Sequence, residues 1–157
     1  AGTHLIFMPA PEEVYPAGFS TAVSLTGPAK AGLEDKFRPH FFDGVATVVA
    51  KLFIQTGADY AMFGEKDYQQ LKVVTRMARD LDIAIEVVGI PTVREDDGLA
   101  KSSRNVYLSK TERQLAIAIY RNLQTAAERI RSGVNPQTAT RSASRTLIAQ
   151  GFKVDYV

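Results

Sequence analysis

"DYAMFGEKDYQQLKVVTRMARDLDIAIEVV", residues 59 to 88, decides how this chain is read. "DYAMF" (59–63) is a short apolar run of strand length. Residues 68–82 carry Leu71, Val74, Ala78 and Leu81 at helical spacing, with Lys72, Arg76 and Arg79 pointing elsewhere. "IAIEVV" (83–88) is again strand-like. Just upstream, "DGVATVVAKLFIQT" (43–56) repeats the helical period through Val45, Val48, Val49 and Leu52, and Gly57 closes it. Helices alternating with strands at these lengths predict a parallel sheet with crossover helices.

Outward from this unit the pattern is less regular. "THLIFMP" (3–9) and "FSTAVSL" (19–25) read as strands, and "TGPAKAGLEDKFRPH" (26–40) as a long charged loop. A second such loop, "GIPTVREDDGLAKSSRN", covers 89–105. Ser109 and Glu112 form a capping box for a helix reaching about Ser132, with Leu115, Ile119, Leu123, Ala127 and Ile130 as its apolar residues. Asn135 and Pro136 open another helix that Gly151 ends. "FKVDYV" (152–157) alternates like a strand, with Phe152, Val154 and Tyr156 on one face. The predicted fold is a doubly wound, parallel-sheet α/β domain over 1–98, followed by a smaller α+β domain over 99–157.

Composition narrows the function classes only slightly. The 157 residues are 45% hydrophobic, enough for a core, and the formal net charge of +2 singles out no polyanionic partner. With no cysteine, disulfide scaffolds and thiolate metal sites are excluded and a reducing, cytoplasmic setting is expected. No apolar run is long enough to span a membrane, so no membrane partner is expected. Helices 110–150 hold Lys110, Arg113, Arg121, Arg129, Arg131, Arg141 and Arg145, which could suit an acidic partner. Without interleaved aromatics, a solvated outer face is favoured and no nucleic acid is expected.

Three consecutive charged residues follow the 59–63 strand and Gly64. Ligands of open parallel sheets bind beyond the carboxyl ends of the strands. There Gly64 lets a ligand approach the backbone, Lys66 offers a point charge to a phosphate, and Asp67 can accept from ribose hydroxyls. The next helix turns its positive end to the same spot. Spacing alone leaves a second reading open, in which Asp67 and Gln70 form a capping box. The cluster Lys101, Ser102, Ser103, Arg104 follows the next strand and is also suited to polyphosphate. Lys66 and residues 101–104 are therefore expected to converge on one phosphate site.

Together "FGEKDYQQL", "GIPTVREDDGLAKSSRNVYLS" and "FRPHFFDGVATVVAKLF" resemble the pantoate–β-alanine ligase (pantothenate synthetase) family over nearly the whole chain. The resemblance implies a Rossmann-like nucleotidyltransferase of the class I synthetase type, acting in pantothenate and coenzyme A biosynthesis. Its substrates would be ATP, with accompanying Mg2+, pantoate and β-alanine; it would proceed through a pantoyl adenylate and work as a homodimer. Carried over, Gly64, Glu65, Lys66 and Asp67 line the ATP site, Lys66 facing phosphates and Gly64 with Asp67 the ribose. Val93 would meet adenine through its backbone. Lys101, Ser102, Ser103 and Arg104 would clamp the triphosphate, and Gln70 and Arg38 would serve pantoate. Lys66, Ser102, Ser103 and Arg104 are the catalytic candidates, and another enzyme of the same fold with a different acceptor is the alternative.

The chain departs from the family pattern at several points. His40 stands where Gly is common and Phe41 where His is common, so His40 is assigned no catalytic role. Lys101 replaces a usual Met or Leu, and Asp35 a usual Gly. The family's HxGH motif, whose histidines stabilise phosphates, is absent; the only histidines are His4 and His40. The expectation is a piece of the family's chain that alone lacks full activity.

Overall fold

The computed structural model describes residues 2–157 and resolves two compact units, one ending at Ile90 and one spanning Pro91–Val157. In the first, α1 (Pro11–Val14), a 3-10 turn (Gly27–Lys30) and α2 (Glu34–Phe37) precede α3 (Phe41–Thr56), β1 (Tyr60–Gly64), a 3-10 turn (Glu65–Asp67), α4 (Tyr68–Asp80) and β2 (Glu86–Ile90). β1 and β2 pair in parallel, from Tyr60 opposite Glu86 to Gly64 opposite Ile90. The fold is thus α/β with a parallel strand pair and a crossover helix, as the 59–88 stretch predicts.

One face of the strand pair turns Ala61, Phe63 and Val87 into a core built with Ala46, Ala50 and Phe53 of α3 and Met77 and Ala78 of α4. The opposite face carries Tyr60 and Met62, both largely exposed. The buried stripe of α3 is Phe42, Ala46, Ala50 and Phe53 rather than the expected Val45, Val48, Val49 and Leu52. Alanine explains the rotation. With no side chain beyond Cβ, Ala46 and Ala50 let α3 approach α4 closely, and the valines fall to the flanks. In α4, Leu71, Val74 and Ala78 are buried as expected, but Val73 and Met77 join them while Leu81 ends the helix half-exposed.

Two expected strands are absent from this unit. Residues 3–9 and 19–25 form neither strand nor helix, and Leu5, Ile6 and Met8 are mostly exposed. A strand needs a neighbour for its backbone groups, and none runs beside these segments among the described residues. The alternation in 19–25 is nonetheless real. Val23 and Leu25 pack on the core, while the Ser24 hydroxyl donates to Asp43 Oδ1 at 2.8 Å. The Val23 N–H donates to Thr47 Oγ1 at 2.9 Å, and Thr47 itself donates to the Asp43 carbonyl at 2.7 Å. Helix α3 thus supplies a hydroxyl partner to a strand-like segment.

In the second unit a 3-10 turn (Ser103–Tyr107) leads to α5 (Lys110–Arg131) and α6 (Pro136–Ala149). Ser109 and Glu112 close the expected capping box, with 2.8 and 3.2 Å bonds, and the Asn135 side chain caps α6. Ala126, Ala139 and Ala143 form the helix–helix core, with Ile130, Val134 and Val157 packed around it. Ile119 and Leu123 of the expected α5 stripe are about two-fifths exposed, at 40% and 42%, and Ala116 and Ala126 are the buried positions. Residues 152–157 form no strand. Among the described residues no helix is long and apolar enough to cross a membrane.

Candidate active site

Because β1 and β2 are parallel and in register to their ends, Gly64 and Ile90 mark one common carboxyl edge. Residues 65–67 continue from that edge as a single 3-10 turn directly into α4. This brings Gly64, Glu65, Lys66 and Asp67 together with the first turn of α4, where the helix dipole places a partial positive charge. Lys66 Nζ contacts both oxygens of Asp67, at 3.1 and 3.0 Å. Both side chains are exposed enough for solvent or an anion to compete for them.

The capping-box reading of this turn fails. Asp67 occupies the N-cap, but its side chain caps no backbone N–H and meets Lys66 instead. Gln70 sits half-buried in the first turn of α4. Its neighbour Gln69, which sequence reasoning passed over, does the structural work. Gln69 Nε2 donates to the Pro28 carbonyl at 2.9 Å and to Asp35 Oδ1 at 2.8 Å, and its Oε1 accepts from the Glu34 N–H at 3.0 Å. Asp35 in turn accepts from the Gly32 and Leu33 amides. The Gln69 amide foremost, with these backbone donors, holds the Asp35 carboxyl below its ordinary range. The 27–37 segment is thereby tied to the start of α4. Two adjacent glutamines look alike in sequence; only the helix face separates them.

Gly89 of β2 lies behind this turn. A Cβ there would sit 3.0 Å from Leu71 Cδ2 and 3.4 Å from Glu65 Oε1, so its missing side chain lets Glu65 and α4 settle against the strand. Arg38 lies elsewhere in the unit, paired with Glu34 at 3.1 Å and lying 5.8 Å from the Phe41 ring centroid. The adjacent His40 adopts φ 64° and ψ 1°, a left-handed conformation, at the position where the resembling family commonly has glycine.

The second set of residues belongs to the second unit. The chain folds back on itself by an antiparallel bridge between Arg94 and Ala100, and the Val93 carbonyl accepts from the Lys101 N–H at 2.9 Å. Lys101 Nζ lies 3.7 Å from Glu95 Oε2. Ser102 caps the following 3-10 turn, accepting from the Arg104 N–H at 3.2 Å. Asn105 Nδ2 donates to the Ala100 carbonyl at 3.0 Å. Val93, Lys101, Ser102, Ser103 and Arg104 are thus gathered on one short hairpin and its turn, with Ser103 and Arg104 exposed. Arg113, one of the basic helical residues, is not part of a free cationic face: its Nη2 is 2.7 Å from Asp97 Oδ2.

Comparison with known proteins defines the class and then the family. Solved structures share this α/β architecture. A pantothenate synthetase from Thermus thermophilus is 52% identical, with a TM-score of 0.86 over 94% of this chain and 54% of that one. A pantoate-beta-alanine ligase from Francisella tularensis, solved in complex with beta-gamma ATP and beta-alanine, is 31% identical, with a TM-score of 0.70 over 86% of this chain and 50% of that one. The family model for pantoate-beta-alanine ligase matches residues 1–157, and the chain belongs to that family. A pantothenate synthetase of Bradyrhizobium sp. (strain BTAi1) is 58% identical over 98% of this chain. The chain spans about half the length of the curated relatives it matches, 54% in that case.

Proposed function

We propose that the protein carrying this chain condenses pantoate with β-alanine in an ATP-dependent reaction. A pantoate carboxylate oxygen would attack the α-phosphorus of ATP, forming pantoyl adenylate as the bond to pyrophosphate breaks. The β-alanine amine would then attack the acyl carbon, lose a proton and expel AMP. The observation that carries this reading is the family match across all of residues 1–157.

The chain's own residues have suitable chemistry. Lys66, paired with an exposed carboxylate, can exchange Asp67 for a phosphate oxygen, which frees Asp67 to accept from the ribose beside Gly64. Glu65 walls the pocket, and Val93 offers adenine its backbone. The Lys101–Arg104 turn would supply two hydroxyls and two cations for the β- and γ-phosphates. Such preorganised donors stabilise charge developing on the α-phosphate and leaving pyrophosphate. Mg2+ would enter with ATP; Glu65 is a hard oxygen donor of the kind it accepts, directly or through water, while Asp67 serves the ribose. Gln70 and Arg38 would hold pantoate, Arg38 exchanging Glu34 for the substrate carboxylate. The working protein would be a cytoplasmic homodimer.

The test is AMP release by the complete protein that carries this chain, supplied with ATP, pantoate and β-alanine. Omitting β-alanine should leave a single turnover of pyrophosphate release, and omitting pantoate should abolish it. Turnover independent of pantoate would refute the assignment.

A further inference from the structure

The second unit contains an arrangement that the ATP site as drawn does not use. Arg94 stacks on Tyr120 of α5, its guanidinium carbon 3.6 Å from the ring centroid. Its Nη1 also donates to the Gly98 carbonyl at 3.1 Å. Gly98 has φ 96°, and a Cβ there would lie 2.7 Å from Tyr120 Cδ1, so the hairpin backbone lies directly against the ring. Asp97 accepts from the Leu99 N–H at 3.1 Å and meets Arg113 of α5 at 2.7 Å. Leu99, next in sequence to Gly98, is buried. The hairpin that ends in Lys101 is thus fastened to α5 at three points: a stacked cation, an ion pair and a glycine that only a bare Cα can fill.

We infer that Arg94, Asp97, Arg113 and Tyr120 are positioning residues that fix the base of the 101–104 turn to α5, so that phosphate binding need order only the turn. This rests on the proposed ATP-dependent activity. Two observations separate it from ordinary stabilisation. Arg113 and Asp97 are about one-third exposed, at 33% and 36%, where an ion pair adds little to stability but can still define a geometry. The fastening also stops short of the turn. Backbone and Asn105 bonds hold Ala100 and Lys101, whereas Ser103, Arg104, Val106 and Tyr107 are exposed. A fixed base with an open tip suits a clamp that closes over its ligand. It also reduces the ordering that phosphate binding must impose.

The test uses the complete protein. Tyr120→Leu retains an apolar side chain but removes the ring face. It should raise KM for ATP about 10-fold, because small displacements of a binding group have large kinetic effects, while KM for pantoate and β-alanine stays within about twofold. Tyr120→Phe keeps the ring and should retain wild-type ATP dependence. Without nucleotide, trypsin should cut Tyr120→Leu after Lys101 and Arg104 several-fold faster than wild type, with cleavage after Arg131 unchanged as the internal control. Should Tyr120→Leu fail to fold, Asp97→Asn removes one fastening and is read in the same way. An active wild type whose folded variants match it in ATP KM and tryptic pattern overturns this inference alone. A wild type with no ATP-dependent turnover overturns the proposed function and, with it, this role.

Discussion

His40 offers the sharpest measurement, because its backbone sits at φ 64° immediately before α3. An L-residue in the left-handed region carries roughly 1–2 kcal/mol of steric cost, since its Cβ crowds the carbonyl oxygen. His40→Gly removes that cost and gives back about 0.4–1 kcal/mol through the greater freedom of glycine in the unfolded chain. The imidazole makes one polar contact, 3.3 Å from Asp43, from a side chain that is 85% exposed, and losing it should matter little. The net expectation is a gain of about 0.5–1 kcal/mol, or about 1–4 °C in thermal midpoint for a chain of this size. His40→Ala is the control: it removes the imidazole but keeps the Cβ, and should stabilise nothing. His40→Asn, whose short side chain tolerates the same conformation, should fall between them. Thermal unfolding of the three variants decides the matter. If Gly proves no more stable than Ala, the left-handed backbone is not the strain described here.

Four further expectations concern both units. Gln69→Ala should cost about 2 kcal/mol, since three half-buried hydrogen bonds go together, and should speed amide exchange at Gly32 and Glu34. Gln70→Ala should leave stability nearly unchanged and instead raise KM for pantoate; the reverse pattern would exchange their roles. Gly89→Val should cost about 1–3 kcal/mol through overpacking against Leu71 and Glu65, seen as a lower urea midpoint. Asp35, Asp43 and Asp97 titrate below the ordinary 3.8 and Glu112 below 4.5, held down chiefly by Gln69, Ser24, the Leu99 amide and Ser109 respectively. Because the folded values are the depressed ones, the stability they contribute is present above the unfolded values and is lost as pH falls through the folded ones. Carboxyl NMR should show Ser24→Ala raising the Asp43 midpoint, and an unchanged midpoint would remove Ser24 as the cause.

The βαβ unit was legible because its signals are local: two apolar runs, a helical period between them and charges at one end. Capping at Ser109 and Asn135 and termination at Gly57 were legible for the same reason. What failed depends on partners distant in sequence. The 3–9, 19–25 and 152–157 segments have strand-like patterns, but a pattern cannot state whether another strand lies alongside. The buried face of α3 was misread because period counting weights large residues, whereas close helix packing selected alanines. At the candidate site the GEKD and KSSR groupings were visible as contiguous runs. Arg94 with Tyr120 and Gln69 with Asp35 were not, since each pair joins residues more than 25 positions apart that carry no marker of contact.

The parallel pairing of β1 with β2 also bears on the order in which the molecule takes shape. A parallel pair cannot close through a tight turn: Tyr60 meets Glu86 only after the whole of α4 has been laid between them. The loop-closure entropy of that pairing must be met before any ladder bond forms. Helices α5 and α6 are joined by four residues, 132–135, and draw on contacts near in sequence. Chains rich in such near contacts fold faster than those that wait on distant ones. The helical hairpin should therefore assemble early and the sheet late, with pulse-labelled amides of 110–149 gaining protection before those of 60–64 and 86–90. The opposite order would mean that the strand pair, and not α5 with α6, nucleates the chain.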